Sequence, residues 1–416
     1  MLKRLFFISA FAAISTTNFS QVLSDSVTMG PGYANQVYYE LSSGTKTISN
    51  STNWDLQFSS NLMSGSIRIN GGQGVELFEA NTSDTSNFAT STIDTSSLTN
   101  LYDGYLSWEQ DAFTAQATGH PNYGWGIYTG AGNLTGIKVY VIKLTSGVLK
   151  KIWIRNFIAS GNIIFSIADL DGSNMTTKTL NRSTYSTKRF FYYDVENDSI
   201  LDSEPAKASW DFVFRKYSKM VAPGTYYNVT GALTNANIGV AQVDNTPTAD
   251  AKTNYPNYSL DSSINILGYD WKSFNMSTFS WDITDSLSYI IKNYNEDVWQ
   301  VIFTGTTGSS QGKMYFTKEK IATVSLEENT PVLNVGVYPN PTSSVLNINF
   351  ELVNSSFPAM INLFDMNGRV VKMISNDFQN SGFNQLKTDI SELQSGVYFL
   401  QIKSGSNSIT KRVVKQ

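Results

Sequence analysis

The chain contains no cysteine. That excludes disulfides, thiolate metal sites, cysteine nucleophiles and the lipidated N-terminal cysteine of a lipoprotein. It contains one histidine, His120. Two histidines on one metal therefore cannot come from a single copy, and zinc would have to rely on a carboxylate-dominated set. A Ser-His-Asp triad could use only His120, and no Gly-x-Ser-x-Gly turn surrounds any serine. Neither a phosphate loop nor a Gly-x-Gly-x-x-Gly run is present. Beyond the N-terminus no apolar run approaches 18 residues, so no transmembrane helix is expected. Charged residues make up only 15% of the 416.

The first twenty residues have the order of a secretory signal. Lys3 and Arg4 precede an apolar run from Leu5 to Ile14, which is too short to span a bilayer. Polar residues follow, and a cleavage point before Gln21 gives an expected leader of 1–20. Seven basic and five acidic residues fall in 336–416, leaving 21 basic and 29 acidic residues in 21–335. An acidic passenger argues against nucleic acid as a partner, because phosphate binding needs basic patches.

Short β-branched and aromatic runs bounded by Gly, Asn, Asp and Ser dominate what remains. Ile137–Leu144, Lys151–Phe157 and Val298–Thr304 are examples, and the expected fold class is mostly β. Asn70-Gly71 and Asn367-Gly368 predict type I′ hairpins, since both central positions of that turn need positive φ. Asp169-Leu170-Asp171-Gly172 has the start of a calcium loop but lacks its downstream glutamate, and is expected to be a turn.

An internal repeat organises the passenger. Tyr38-Tyr39 precedes Trp54-Asp55-Leu56-Gln57-Phe58, and Tyr192-Tyr193 precedes Trp210-Asp211-Phe212-Val213-Phe214. Gly71 is matched with Gly231, Trp108 with Trp271, and Val141-Ile142 with Val301-Ile302. Alternation places Trp54, Leu56 and Phe58 on a core-facing side. The expected organisation is a first β-rich module over 21–185, a second over 186–323, a linker over 324–335 and a tail over 336–416.

The tail has about seven short strands, which predicts an immunoglobulin-like sandwich. Its motifs are Tyr338-Pro339-Asn340-Pro341, the turn at Asn367-Gly368, a strand carrying Gly396 and Tyr398, and a basic-apolar finish from Lys411 to Lys415. In these it resembles the type A C-terminal sorting domain of the type IX secretion system. The resemblance implies export from a Gram-negative bacterium through an outer-membrane translocon, handling by a sortase-like peptidase, and release or attachment at the cell surface.

The paired Tyr-Tyr and Trp-Asp motifs over 33–320 resemble HmuY-like proteins, a β-rich family that includes haem binders. The resemblance implies a ligand-binding passenger, with haem as one ligand. Bis-histidine ligation is ruled out by the single histidine, which leaves His120 with a methionine, or two methionines, as axial candidates. His120 lies in a Gly-aromatic stretch with Tyr123, Trp125 and Tyr128, side chains suited to flat ligands or sugars. These four are the candidate ligand residues. The alternatives are a surface adhesin, glycan-binding or structural protein and, with a pair of convergent carboxylates, a secreted glycoside hydrolase. No catalytic residue stands out, so a non-enzymatic binding protein is the expectation.

Overall fold

The structure is a computed structural model that describes residues 21–80, 85–96, 98–322, 332–352, 359–377, 379–380, 382–404 and 407–416. The expected leader, 1–20, lies outside the described residues, as does most of the expected linker. The chain divides after Thr323 into two compact units. Both are mostly antiparallel β, as the alternating runs predict.

The chain opens with three strands, β1 (Leu23–Thr28), β2 (Asn35–Tyr39) and β3 (Lys46–Asn50). The next twelve build a complete sandwich. They are β4 (Leu56–Ser59), β5 (Ile67–Ile69), β6 (Glu76–Glu79), β7 (Thr99–Leu101), β8 (Gly126–Gly130), β9 (Asn133–Gly136), β10 (Tyr140–Lys143), β11 (Leu149–Phe157), β12 (Asn162–Ala168), β13 (Thr176–Asn181), β14 (Phe190–Asp194) and β15 (Ser199–Leu201). One sheet runs β15-β14-β4-β5; the other runs β13-β12-β11-β10-β6-β7, with the β8–β9 hairpin joined to β11. Leu56, Phe58, Leu77, Tyr140, Ile152, Phe165 and Phe191 fill the core between them. Asp169–Gly172 forms the turn from β12 to β13, with Ser173 N–H and Asn174 Nδ2 bonded back onto its aspartates.

A second sandwich follows from β16 (Phe212–Ala222), β17 (Thr225–Thr234), β18 (Gly239–Val243), β19 (Lys272–Asn275), β20 (Ser280–Ile283), β21 (Ser288–Lys292), β22 (Val298–Thr306) and β23 (Lys313–Ala322). Its sheets run β17-β16-β2-β3 and β1-β23-β22-β21-β18. The N-terminal strands β1–β3 thus take the places that β13–β15 take in the first sandwich. Val27, Met29, Val37, Tyr39 and Leu41 sit in the second core among Phe212, Phe303 and Phe316.

The repeat is therefore real in space, but its phase differs from the sequence division. The cut at 185/186 falls inside the first sandwich, between β13 and β14. Each packed copy begins at its Trp-Asp strand and ends at a Tyr-Tyr hairpin, and the first hairpin of the chain closes the last copy. The repeated aspartate encodes this closure. Asp211 Oδ2 accepts the Leu41 N–H (2.6 Å), and Asp55 Oδ2 accepts the Val195 N–H (2.8 Å). Each carboxylate thereby ties the second residue after a Tyr-Tyr pair to the start of the neighbouring strand.

Several sequence landmarks shift accordingly. Tyr140–Lys143 answers to Tyr289–Lys292, one hairpin earlier than the Val301-Ile302 match. Trp125, not Trp108, answers to Trp271: each packs on an aromatic of the equivalent strand, Phe157 at 4.8 Å and Phe303 at 4.3 Å. Their carbonyls also accept from Ile137 and Thr284 N–H respectively, directly after β9 and β20. Asn70-Gly71 makes no type I′ turn, because Asn70 has φ −82° and enters a 3₁₀ turn at Gly71–Gln73. Asn70 instead anchors its copy, donating to the carbonyls of Ser51 and Trp54 (both 2.8 Å), as Asn235 does to those of Lys207 and Trp210 (2.7 and 2.8 Å).

The tail contains β24 (Val332–Tyr338), β25 (Val345–Leu352), β26 (Ala359–Phe364), β27 (Val370–Asp377), β28 (Gly382–Asp389), β29 (Gly396–Ser404) and β30 (Asn407–Lys415). Sheets β24-β25-β28 and β27-β26-β29-β30 enclose Leu346, Ile348, Phe350, Ile361, Leu400 and Val413. Residues 332–335, placed in the linker on sequence grounds, belong to β24, and Val335 is part of the core. In the turn before β27 only Gly368 has positive φ (77°), so it closes a longer turn and not a type I′ pair. Asp365 caps that turn by accepting from Asn367 and Arg369 N–H.

Candidate functional site

The two sandwiches meet along the outer faces of β2–β16 and β4–β14. Tyr38 and Tyr192, equivalent residues of the two copies, touch through their hydroxyls (2.5 Å). Trp210 packs on Tyr38 (5.1 Å) and Trp54 on Tyr192 (4.9 Å). Trp54 thus faces this seam, whereas Leu56 and Phe58 face the core; the strand begins only at Leu56, so alternation does not reach back to the tryptophan. Tyr192 also donates to Glu204 (3.2 Å), whose carboxyl burial pushes up to about 7. The seam explains why Gln57, on the supposed polar face of its strand, is buried.

A cleft of about 460 Å³ opens at one end of the seam. One wall comes from the first sandwich: Arg68, the Gly71–Gly74 turn, and Asn100 to Tyr105. The other is the β16–β17 hairpin, with Arg215, Lys216, Tyr226 and Tyr227. Tyr102 and Tyr226 reach across the mouth and stack face to face, 3.6 Å apart and within 3° of parallel. Gly72 permits this approach, because a Cβ there would lie 2.3 Å from the Lys216 carbonyl carbon.

Electrostatics divide the cleft's charged groups into two sets. Arg68 is committed to the scaffold: it donates to the carbonyls of Gly104 and Gln110 (both 2.7 Å) and lies 3.7 Å from Asp103. Asp103 in turn accepts from Ile69 and Ala112 N–H, and burial still raises its carboxyl above the ordinary range. Glu76 pairs with Lys143 (2.8 Å). Arg215 lies over the Trp54 ring (5.2 Å) and reaches Gln57 Oε1 at 3.4 Å.

The four residues singled out from sequence are only partly brought together. His120, Tyr123 and Tyr128 cluster at the surface: the Tyr123 hydroxyl is 3.5 Å from His120 Nδ1, and the His120 and Tyr128 rings are 5.0 Å apart. Trp125 does not join them. It is fully buried, packed on Phe157 and donating to the Gly65 carbonyl (3.2 Å). Gly124 and Gly126 allow close backbone packing around this core tryptophan: a Cβ at Gly124 would lie 2.7 Å from the Phe113 carbonyl oxygen.

Tyr123 borders a second cleft of about 580 Å³ with Met63, Ser64, Ser66, Glu109 and Asp111. Haem needs an axial side chain in a largely apolar slot. His120 is not part of this wall, Met63 is 91% exposed, and two carboxylates and two serines line the space. These residues do not fit haem. Among the described residues no cluster of three or more metal-ligating side chains forms.

The tail residues hold the sandwich closed. Asn340, between the exposed Pro339 and Pro341, donates to the Arg412 carbonyl and accepts from Val414 N–H (both 2.8 Å), fastening the last strand. Tyr338 accepts from Gln385 (2.8 Å). Tyr398, two residues after Gly396, donates to the Gln394 carbonyl (2.8 Å), a corner found in immunoglobulin-like sandwiches. Lys411 is exposed, while Lys415 is buried and donates to the Gln416 carbonyl (2.5 Å).

Residues 336–416 match the family of secretion system C-terminal sorting domains. No curated protein matches the chain. Among solved structures, one of PorZ, a bacterial surface component of the type-IX secretion system of Porphyromonas gingivalis, is 8% identical, with 89% of this chain and 54% of that chain covered and a TM-score of 0.18. This chain thus spans about half of that protein, and a likeness so slight carries no argument about the passenger. The tail is another matter: residues 336–416 are a secretion system C-terminal sorting domain, which marks the protein for export by type IX secretion to the cell surface.

Proposed function

We propose that the passenger is a non-enzymatic surface binding protein that takes a saccharide in the cleft between its two sandwiches. The observation that carries this reading is the aromatic mouth. Tyr102 and Tyr226 stack across it, Tyr105, Tyr227 and Trp108 line it, and Asn100 and Asn228 add amides beside them. Flat rings pack on the C–H faces of sugars while amides and hydroxyls serve their hydroxyl groups. A cleft at the junction of two rigid bodies is also a common place for a ligand. The likeness to HmuY-like proteins supports a ligand-binding passenger without requiring their haem.

Binding of residues 21–323 to an array of surface and plant glycans tests the proposal. The expected result is saturable binding to at least one glycan class, weakened about tenfold, or roughly 1.4 kcal/mol, by Tyr226→Ala. Binding to no glycan, or binding indifferent to Tyr226→Ala and Tyr102→Ala, refutes it. A second reading, glycoside hydrolysis, draws on Glu109 and Asp111 in the neighbouring cleft, where burial pushes Asp111 up to about 7, suitable for a general acid. Release of reducing ends that Glu109→Gln abolishes would favour that reading.

A further inference from the structure

A further pocket, of about 310 Å³, lies within the second sandwich. Tyr33, Tyr269 and Trp281 form its aromatic walls, and Thr230, Lys272 and Ser309 its polar ones. Lys272 is only 7% exposed. Its ammonium donates to the carbonyls of Thr230 (2.6 Å) and Tyr269 (3.4 Å), and Asp270 supports its charge from beyond ion-pair distance. An ammonium has three N–H donors, so one is left for an oxygen in the pocket. Trp281 stands edge-on to Phe274 (5.3 Å), in space that Gly308 leaves open: a Cβ there would lie 2.5 Å from the indole nitrogen. Three residues before the equivalent Ile137 and Thr284 stand Leu134 and Trp281, and Leu134 is buried in the first core. The second copy thus sets an aromatic platform at a pocket where the first has core packing.

Strand β17 joins this pocket to the seam cleft. Tyr226, Asn228 and Thr230 are alternate residues of that strand and share one face, over a span of about 13 Å. Tyr226 is at the mouth of the cleft, Thr230 is in the pocket, and Asn228 lines both. Asn228 is exposed, so the path between them is open. A second tie runs through Gln73, in the turn that walls the cleft: its amide donates to the carbonyl of Tyr33, in the wall of the pocket (3.0 Å). We infer that the ligand is a linear oligosaccharide that runs along this face of β17, one part at the Tyr102–Tyr226 mouth and another against Trp281, with Lys272 donating to one of its oxygens. The inference rests on the reading of the seam cleft as a saccharide site. A chain that engages two linked subsites binds more tightly than either part alone, because the second contact is made at high effective concentration. Chain length, and not only sugar type, therefore sets affinity.

The test is calorimetry of the whole protein with β-linked oligomers of glucose, N-acetylglucosamine, mannose and xylose, each as chains of two, four and six rings. In at least one series the four-ring chain should bind at least tenfold more tightly than the two-ring chain. Trp281→Ala should cut the affinity of the longer chains at least fivefold. Ser309→Trp should do the same by filling the pocket from an exposed position, with circular dichroism and melting unchanged. Tyr226→Ala should weaken every chain that binds. Equal affinity for two and six rings, or long chains indifferent to both pocket variants, overturns the extended site; the saccharide reading of the seam cleft stands if Tyr226→Ala still weakens those chains. If none of these oligomers binds while other glycans do so through Tyr226, the linear-chain assignment fails and the saccharide reading again stands. If no glycan binds, both fail.

Discussion

Separating the two sandwiches should expose how differently they are closed. Every buried member of the first core lies between Leu56 and Tyr193. Residues 51–204 therefore carry a complete core and both sheets. The second core takes Val27, Met29, Tyr33, Val37, Tyr39 and Leu41 from the N-terminal segment. At roughly 1.5–3 kcal/mol for each fully buried side chain, removing that segment forfeits on the order of 9–18 kcal/mol. A whole domain has a net stability of only about 5–15 kcal/mol. Residues 205–323 alone also lose the ladders of β1 on β23 and of β2 on β16. They are expected to be unfolded, with no near-ultraviolet circular dichroism and no cooperative melt, and to gain both when a peptide of residues 21–50 is added. Residues 51–204 should melt cooperatively without help. Cooperative folding of 205–323 alone, or failure of 51–204 to fold, would refute the reasoning.

Further outcomes follow from particular residues. Burial raises Asp55 and Asp211 to about 6 and Asp111 and Glu204 to about 7. Each binds a proton more readily folded than unfolded, so stability is greatest below the unfolded values and is lost as pH rises through the folded ones. Tm of the passenger should therefore be higher at pH 5 than at pH 7.5, by roughly 5–10 °C; a higher Tm at pH 7.5 in differential scanning calorimetry would contradict the burial of these groups. Gly72→Ala should cost about 1–3 kcal/mol in denaturant unfolding, because its Cβ meets the backbone at Lys216 and cannot be accommodated by a rotamer change. Deleting 336–416 should leave the protein inside the outer membrane, as cell fractionation would show, whereas Asn340→Ala should leave the sorting domain folded but less stable by about 1–3 kcal/mol.

Much of the fold was legible because strands with a buried face alternate. Leu346, Ile348 and Phe350 read as one inward face and are one. The tail was legible further still, since its turn, corner and closing residues sit in one contiguous stretch. The passenger's phase was not. Tandem copies that close on each other give the same order of motifs wherever the unit is cut, and the ladders of β2 on β16 and β14 on β4, with the hydrogen bonds of Asp211 and Asp55, show which hairpin belongs to which strand. Trp125 drew attention by its glycine-rich surroundings, yet glycine serves close packing as well as loop freedom. The cleft was hidden for another reason. Arg68, Tyr102, Arg215 and Tyr226 are unremarkable where they stand in the sequence, and become a site only when the β16–β17 hairpin crosses to the first sandwich. A signal was available in Tyr226-Tyr227-Asn228, two aromatics and an amide beside a Pro-Gly turn.

The most direct measurement is a crystal structure of the passenger, residues 21–323, soaked with its tightest saccharide. The expected result is density in the cleft between the sandwiches, with a sugar ring against Tyr102 or Tyr226. Density at the His120, Tyr123 and Tyr128 surface cluster with the seam cleft empty would contradict it.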